Sequence, residues 1–177
     1  MRYWLFASWA VSVLLVHAVP ARATTVLPAD FAEMVKGSQV IVHGRVTASR
    51  SYLTAARTIE TLVTVAVQDP IKGPATAQVA FRLPTGQVGR YRRVMVGAPE
   101  FAEGDEVILF LRGRPPAVPM PFGLHQGVYR VTRAAGRATV SPVVTARAGR
   151  IVRGDPARRP MTVDAFAREV RAVMERP

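Results

Sequence analysis

A chain whose amino terminus reads as an export leader, and which contains no cysteine, is expected to be held together by its core alone. The leader is read from the first 23 residues. Arg2 gives a positive start, and Tyr3 to Val19 is an apolar run without Asp, Glu, Lys or Arg. Pro20 breaks that run, and Ala21-Arg22-Ala23 places small residues where a signal peptidase reads them. Residues 1–23 are therefore expected to be a signal peptide, and the protein is expected to be secreted or periplasmic. The run falls short of the ~20 residues that a spanning helix needs, and no second apolar run follows, so no membrane span is expected after cleavage. What remains, Thr24 to Pro177, is a single domain's worth of chain, about 150 residues, enough to bury one core without disulfides.

The charge is strongly basic, +12 for the whole chain. Nearly all of it is arginine; only Lys36 and Lys72 are lysines. A basic surface attracts nucleic acid, lipid A phosphates or acidic polysaccharide. Yet Arg, Ala, Val, Pro and Gly are abundant together, as in proteins from GC-rich bacterial genomes, and that composition accounts for a merely basic surface as well.

Hydrophobic period 2 recurs along the mature chain. Val40, Val42 and Val46 alternate with His43, Arg45 and Thr47, and Gly44 falls on the inward side, where it marks a bulge or a close backbone approach. Ile59, Thr61, Val63, Val65 and Val67 share one strand face, and Val79, Phe81 and Leu83 another. Gln87 to Val96 reads as a further strand, polar in its first half. Glu106 to Leu111 is continuously apolar after its first residue and reads as a central strand. Gly127 to Thr132 and Arg137 to Val144 form a hairpin through Ala134-Ala135-Gly136. Helical spacing appears twice. A short helix opens at Leu27-Pro28-Ala29-Asp30, carries Phe31, Met34 and Val35, and is capped by Gly37. A C-terminal helix, about 162–176, has Thr162 as N-cap and Val163, Phe166, Val170 and Val173 as its stripe. The expected fold is mainly β: an antiparallel barrel or sandwich over about 38–145, flanked by the two helices.

Three segments carry a resemblance: Gly37-Ser-Gln-Val-Ile-Val-His-Gly-Arg-Val46, Thr61-Leu-Val-Thr-Val-Ala-Val-Gln-Asp-Pro-Ile-Lys-Gly73, and Pro99-Glu-Phe-Ala-Glu-Gly-Asp-Glu-Val-Ile-Leu-Phe-Leu111, the last echoed by Gln126-Gly-Val-Tyr-Arg-Val131. Their order resembles a set of uncharacterised secreted bacterial proteins. More distantly it is similar to the netrin-like domain of the tissue inhibitors of metalloproteinases, an OB-fold barrel. The resemblance covers roughly Val26 to Val131 and implies an OB-like barrel. Those inhibitors chelate the protease zinc through an N-terminal cysteine. This chain has none, so no inhibitory residue carries over.

Chemistry is sparse. The mature chain offers only His43 and His125, without metal-ligand spacing; His43 reads as a polar-face side chain and His125 as a loop end. No Gly-x-Ser-x-Gly elbow is present. Glu100, Glu103, Asp105 and Glu106 read as a solvated turn ahead of a buried strand. Gly86-Gln-Val-Gly89 lacks the Lys-Ser/Thr of a phosphate loop. No catalytic, cofactor or metal residue is therefore expected. Two binding candidates remain. Arg90, Tyr91, Arg92 and Arg93 interleave an aromatic with three cations, a composition able to stack on a base or grip phosphates, or to protect an edge strand. The loop Gly113 to Gly123 holds four prolines and carries Met120 and Phe122, which could offer an apolar tip to a partner or lie flat as a spacer. Together these imply a non-enzymatic module that recognises a protein or peptide through loops, with polyanion binding as the alternative.

Overall fold

The structure is a computed structural model that describes residues 29–147, 150–153 and 159–176. The signal-peptide expectation lies outside the described residues. Helix α1 (Phe31–Gly37) starts on Asp30, whose carboxylate accepts the Ala32 amide at 3.3 Å. Strands β1 (Val40–Leu53) and β2 (Ile59–Lys72) form a long antiparallel ribbon, and β3 (Gln78–Leu83) pairs with the middle of β2. Strands β4 (Gly86–Val88) and β5 (Tyr91–Arg93) make a separate small hairpin. The central strand β6 (Glu106–Arg112) lies between β1 and β8 (Val128–Ala134), with the two-residue β7 (Met120–Pro121) beside its end. Beyond β8 come β9 (Arg137–Pro142) and β12 (Met161–Thr162); β10 (Val144–Arg147) and β11 (Arg150–Arg153) pair only with each other. Helix α2 (Val163–Glu175) closes the fold, its first turn capped by Thr162 Oγ1 on the Ala165 amide.

All pairings are antiparallel, and the main sheet runs β12-β9-β8-β6-β1-β2-β3. The fold is mainly β with two helices, as expected. No closed barrel is seen among the described residues. Three register shifts in the β1–β2 ladder bend the ribbon. One falls at Gly44, where a Cβ would overlap the Ala66 carbonyl oxygen and stand 2.7 Å from Val65 Cγ1. The missing side chain is what lets β2 cross so close.

Period 2 divides the core in two. The face turned away from the helices gathers Val42, Val63, Val65, Phe81, Leu109 and Val128. The opposite face carries Ile41, Ile108, Phe110, Tyr129 and Val140 beneath the helices. Strand β6 is buried on both sides, so its apolar run feeds both layers: Val107, Leu109 and Leu111 one way, Ile108 and Phe110 the other. The helices are pinned by rings. Phe166 lies 4.7 Å from Tyr129, 6.1 Å from Phe110 and 5.7 Å from Phe31, centroid to centroid. Burial of such aromatics contributes the largest share per residue to a core of this size.

Two local expectations change. Gly37 is the last helical residue, not a left-handed cap; its Cβ would stand 2.7 Å from the Phe122 ring, so packing keeps it glycine. The helix end is served instead by Lys72, whose ammonium donates to Val35 O at 2.6 Å and Lys36 O at 3.3 Å. Gln87 to Val96 is not one strand: Gly89-Arg90 turns it into the β4–β5 hairpin.

Candidate functional site

Two regions stand out once the chain is folded. The first is the far end of the β1–β2 ribbon, where β4 lies beside both strands. A one-way hydroxyl relay fastens it. The Gln87 amide donates to Ser51 Oγ at 3.2 Å, Ser51 to Thr61 Oγ1 at 2.9 Å, and Thr61 to the Thr85 carbonyl at 2.6 Å. Thr61 spends its hydrogen on a carbonyl, so Ser51 must be the donor between them. Gly86 belongs to the same device: at φ +149° a Cβ there would stand 2.5 Å from both hydroxyls. Thr85 Oγ1 then donates to Arg93 O at 3.0 Å, and Arg93 Nη1 to Ile59 O at 3.2 Å.

This end is where apolar side chains meet solvent. Among the described residues seven large hydrophobics are exposed, and five of them, Tyr52, Leu53, Tyr91, Val94 and Val96, lie on or next to these two hairpins. A sixth, Val118, precedes Pro119, whose carbonyl accepts the Arg82 amide of β3 at 2.9 Å. Scattered exposed hydrophobics carry no meaning, but a concentration at one end does.

The residues singled out from sequence divide accordingly. Arg90, Tyr91 and Arg92 face solvent. Arg90 covers Tyr91, with its guanidinium carbon 5.1 Å from the ring centroid and Nη2 donating to the phenol oxygen at 2.9 Å. Arg92 has only a loose ion pair, 3.9 Å, with Glu100. Arg93 is half-buried and structural, committed to Ile59 O. The expected apolar tip at Met120 and Phe122 is not there. Met120 is half-buried in β7 opposite Arg112, and Phe122 is buried in the helix-side core, its amide donating to Phe110 O at 2.8 Å. The last residues of the proline loop, Met120 and Pro121, turn back and pair along β6.

The second region is a buried carboxylate. Glu106 opens β6 opposite Arg45 and is 5% exposed at its side chain, not solvated as its turn-like context implied. Arg133 of β8 holds it with two nitrogens, Nε on Oε2 at 2.8 Å and Nη2 on Oε1 at 2.6 Å. His43 Nε2 lies 2.8 Å from Oε1, and Arg45 Nη2 donates to Oε2 at 3.3 Å. The Arg133 bonds outweigh the cost of burial and, with His43, draw the Glu106 pKa down to about 2. Next to it, burial raises Asp105, but the Ala102 amide and Arg130 at 2.6 Å outweigh it and leave the carboxyl below its ordinary value. His43 and His125 are both buried; His125 ends the loop ahead of β8, as its context implied, and its Nδ1 lies 2.9 Å from Gly97 O. Nothing in the sequence marks Glu106, His43 and Arg133 as neighbours, since they meet only through the register of three strands.

No family model, curated protein or solved structure matches this chain. Function must therefore be argued from the geometry. Among the described residues no group of three His, Asp or Glu side chains is placed to hold a metal ion, and no helix is long and apolar enough to cross a membrane.

Proposed function

We propose that this protein is an extracytoplasmic, non-enzymatic binding module that contacts a protein or peptide through the far end of its β1–β2 ribbon. The observation that carries this is the exposure of Tyr52, Leu53 and Tyr91 on two hairpins joined by hydrogen bonds, with Val94 and Val96 exposed in the segment that follows. Rigid aromatic and aliphatic side chains that remain exposed are what a protein interface uses as anchors. The curled sheet we read as an OB-like barrel, in line with the resemblance to netrin-like domains; the bulged β1 and the Arg82–Pro119 bond that ties β3 toward β7 favour this reading. The apolar amino terminus we read as a cleaved leader.

The experiment is capture from periplasm or culture fluid on the mature protein, with Leu53→Ser/Tyr91→Ser/Val96→Ser beside it. The triple variant should keep its thermal midpoint and lose the partner. A second reading, polyanion binding, is favoured by the open guanidinium groups of Arg90 and Arg92. Capture that survives the triple variant, disappears in Arg90→Ala/Arg92→Ala and weakens steeply with salt would replace the first reading by the second.

A further inference from the structure

We propose that the cleft at the start of α2 is a binding site for a small zwitterion, a free amino acid or a short peptide with both ends charged. The cleft has a volume of about 460 Å³ and is lined by His43, Asp69, Arg133, Arg137, Thr162 and Asp164, among others. It is the polar continuation of the sheet face that the helices cover, and it is separate from the far end of the ribbon.

Its most telling member is His43, 6% exposed. The ring uses Nε2 on the Glu106 carboxylate. An ionised carboxylate only accepts, so Nε2 carries a hydrogen. No protein group among the described residues partners Nδ1, and Nδ1 is not sealed from solvent, since the fully buried side-chain atom left without a partner among the described residues is Ser38 Oγ, outside this cleft. A ring nitrogen without a protein partner, on a nearly buried side chain that lines a cleft, is left for whatever fills the cleft.

The charged groups around it come in both signs. Arg137 and Asp164 have no partner among the described residues, and both are exposed. Arg133 spends Nε and Nη2 on Glu106 and keeps Nη1. Asp69 is held only loosely, 3.7 Å from Arg171. The 13-residue α2 begins at Val163, so its positive end borders the cleft as well. A simple anion would meet Arg137 but also two aspartates; a simple cation would meet the aspartates but also two arginines. A molecule with both charges satisfies both sets: its carboxylate on Arg137 and Arg133 Nη1, its ammonium on Asp164 or Asp69, with His43 beside it in the same cleft. The volume suits a ligand between one amino acid and a dipeptide.

The test is calorimetric titration of the mature protein with a panel of amino acids and dipeptides, set against N-acetyl amino acids, amino-acid amides and inorganic phosphate. At least one zwitterion should bind, and its acetylated and amidated forms should each bind about tenfold or more weakly. Arg137→Gln and Asp164→Asn, both at exposed positions, should each weaken that zwitterion about tenfold while leaving the thermal midpoint in place. Binding of the blocked forms or of phosphate as tightly as the zwitterion overturns the proposal. So does indifference to both substitutions, or the failure of every panel member to bind.

Discussion

Arg133 reaches from β8 across to the first residue of β6 and takes both oxygens of Glu106. The pair makes stability depend on pH in one direction. In the unfolded chain Glu106 titrates near 4.5; in the fold it titrates near 2. The contribution is therefore complete above about pH 4.5 and is lost as pH falls from there toward 2. A shift of that size corresponds to on the order of 3 kcal/mol for a carboxylate this well buried. Urea unfolding at pH 7 and pH 3 should show the loss, and Glu106→Gln should flatten it.

Removing the guanidinium instead should do more harm than its exposure suggests. Arg133 itself is 58% exposed, but Arg133→Ala would leave a carboxylate that is 5% exposed with weaker partners. About 2 kcal/mol of destabilisation at pH 7 is expected, more than for an ordinary surface ion pair. Chemical unfolding of Arg133→Ala beside Arg82→Ala, which breaks a partly exposed bridge to Glu60, provides the comparison.

Gly44→Ala should cost about 1–3 kcal/mol, at the upper end of that range, because the new methyl meets a backbone carbonyl that cannot turn aside. A thermal midpoint within about 1 °C of wild type, roughly what a few tenths of a kcal/mol would produce in a chain of this size, would show that β2 can move off β1 there.

The two core layers should respond alike. Phe81 is fully buried on the face away from the helices and Phe110 on the helix side. Phe81→Ala and Phe110→Ala should each lose about 3–5 kcal/mol. Phe122→Ala, in the same class by burial, should lose about 3 kcal/mol, whereas Val118→Ser, four residues earlier and exposed, should stay within about 0.5 kcal/mol of wild type. The contrast separates the buried end of the proline loop from its open part.

That contrast also shows where the sequence stops being legible. Strand faces follow from period 2: Ile59, Thr61, Val63 and Val65 are buried together as their spacing implies, and β6 is central. The C-terminal stripe of Phe166, Val170 and Val173 is buried under its Thr162 cap. Gly44 marks a close approach because a strand gives up packing area wherever glycine replaces a side chain on its buried face, and a neighbouring backbone is what takes up that space. Phe122 escapes a reading from sequence because it sits in a proline-rich loop, and local composition does not say that a loop returns to the sheet. Glu106 escapes it because a charge at the head of a buried strand is usually solvated, and only strand order brings Arg133 and His43 to it. The exposed residues of the two hairpins carry no periodic signal at all; they become a surface only when the relay through Ser51 and Thr61 places one hairpin on the other.

That relay has a thermodynamic consequence. Each hydroxyl has one hydrogen to give, and reversing the Ser51–Thr61 link leaves the Thr85 carbonyl facing another acceptor. The two hairpins thus have one arrangement rather than a family of them, and a docking partner would not have to supply the entropy of fixing them. Thr61→Val, which removes the middle link, should leave the anchors in place but let them wander, so that a partner arrives as often and departs sooner.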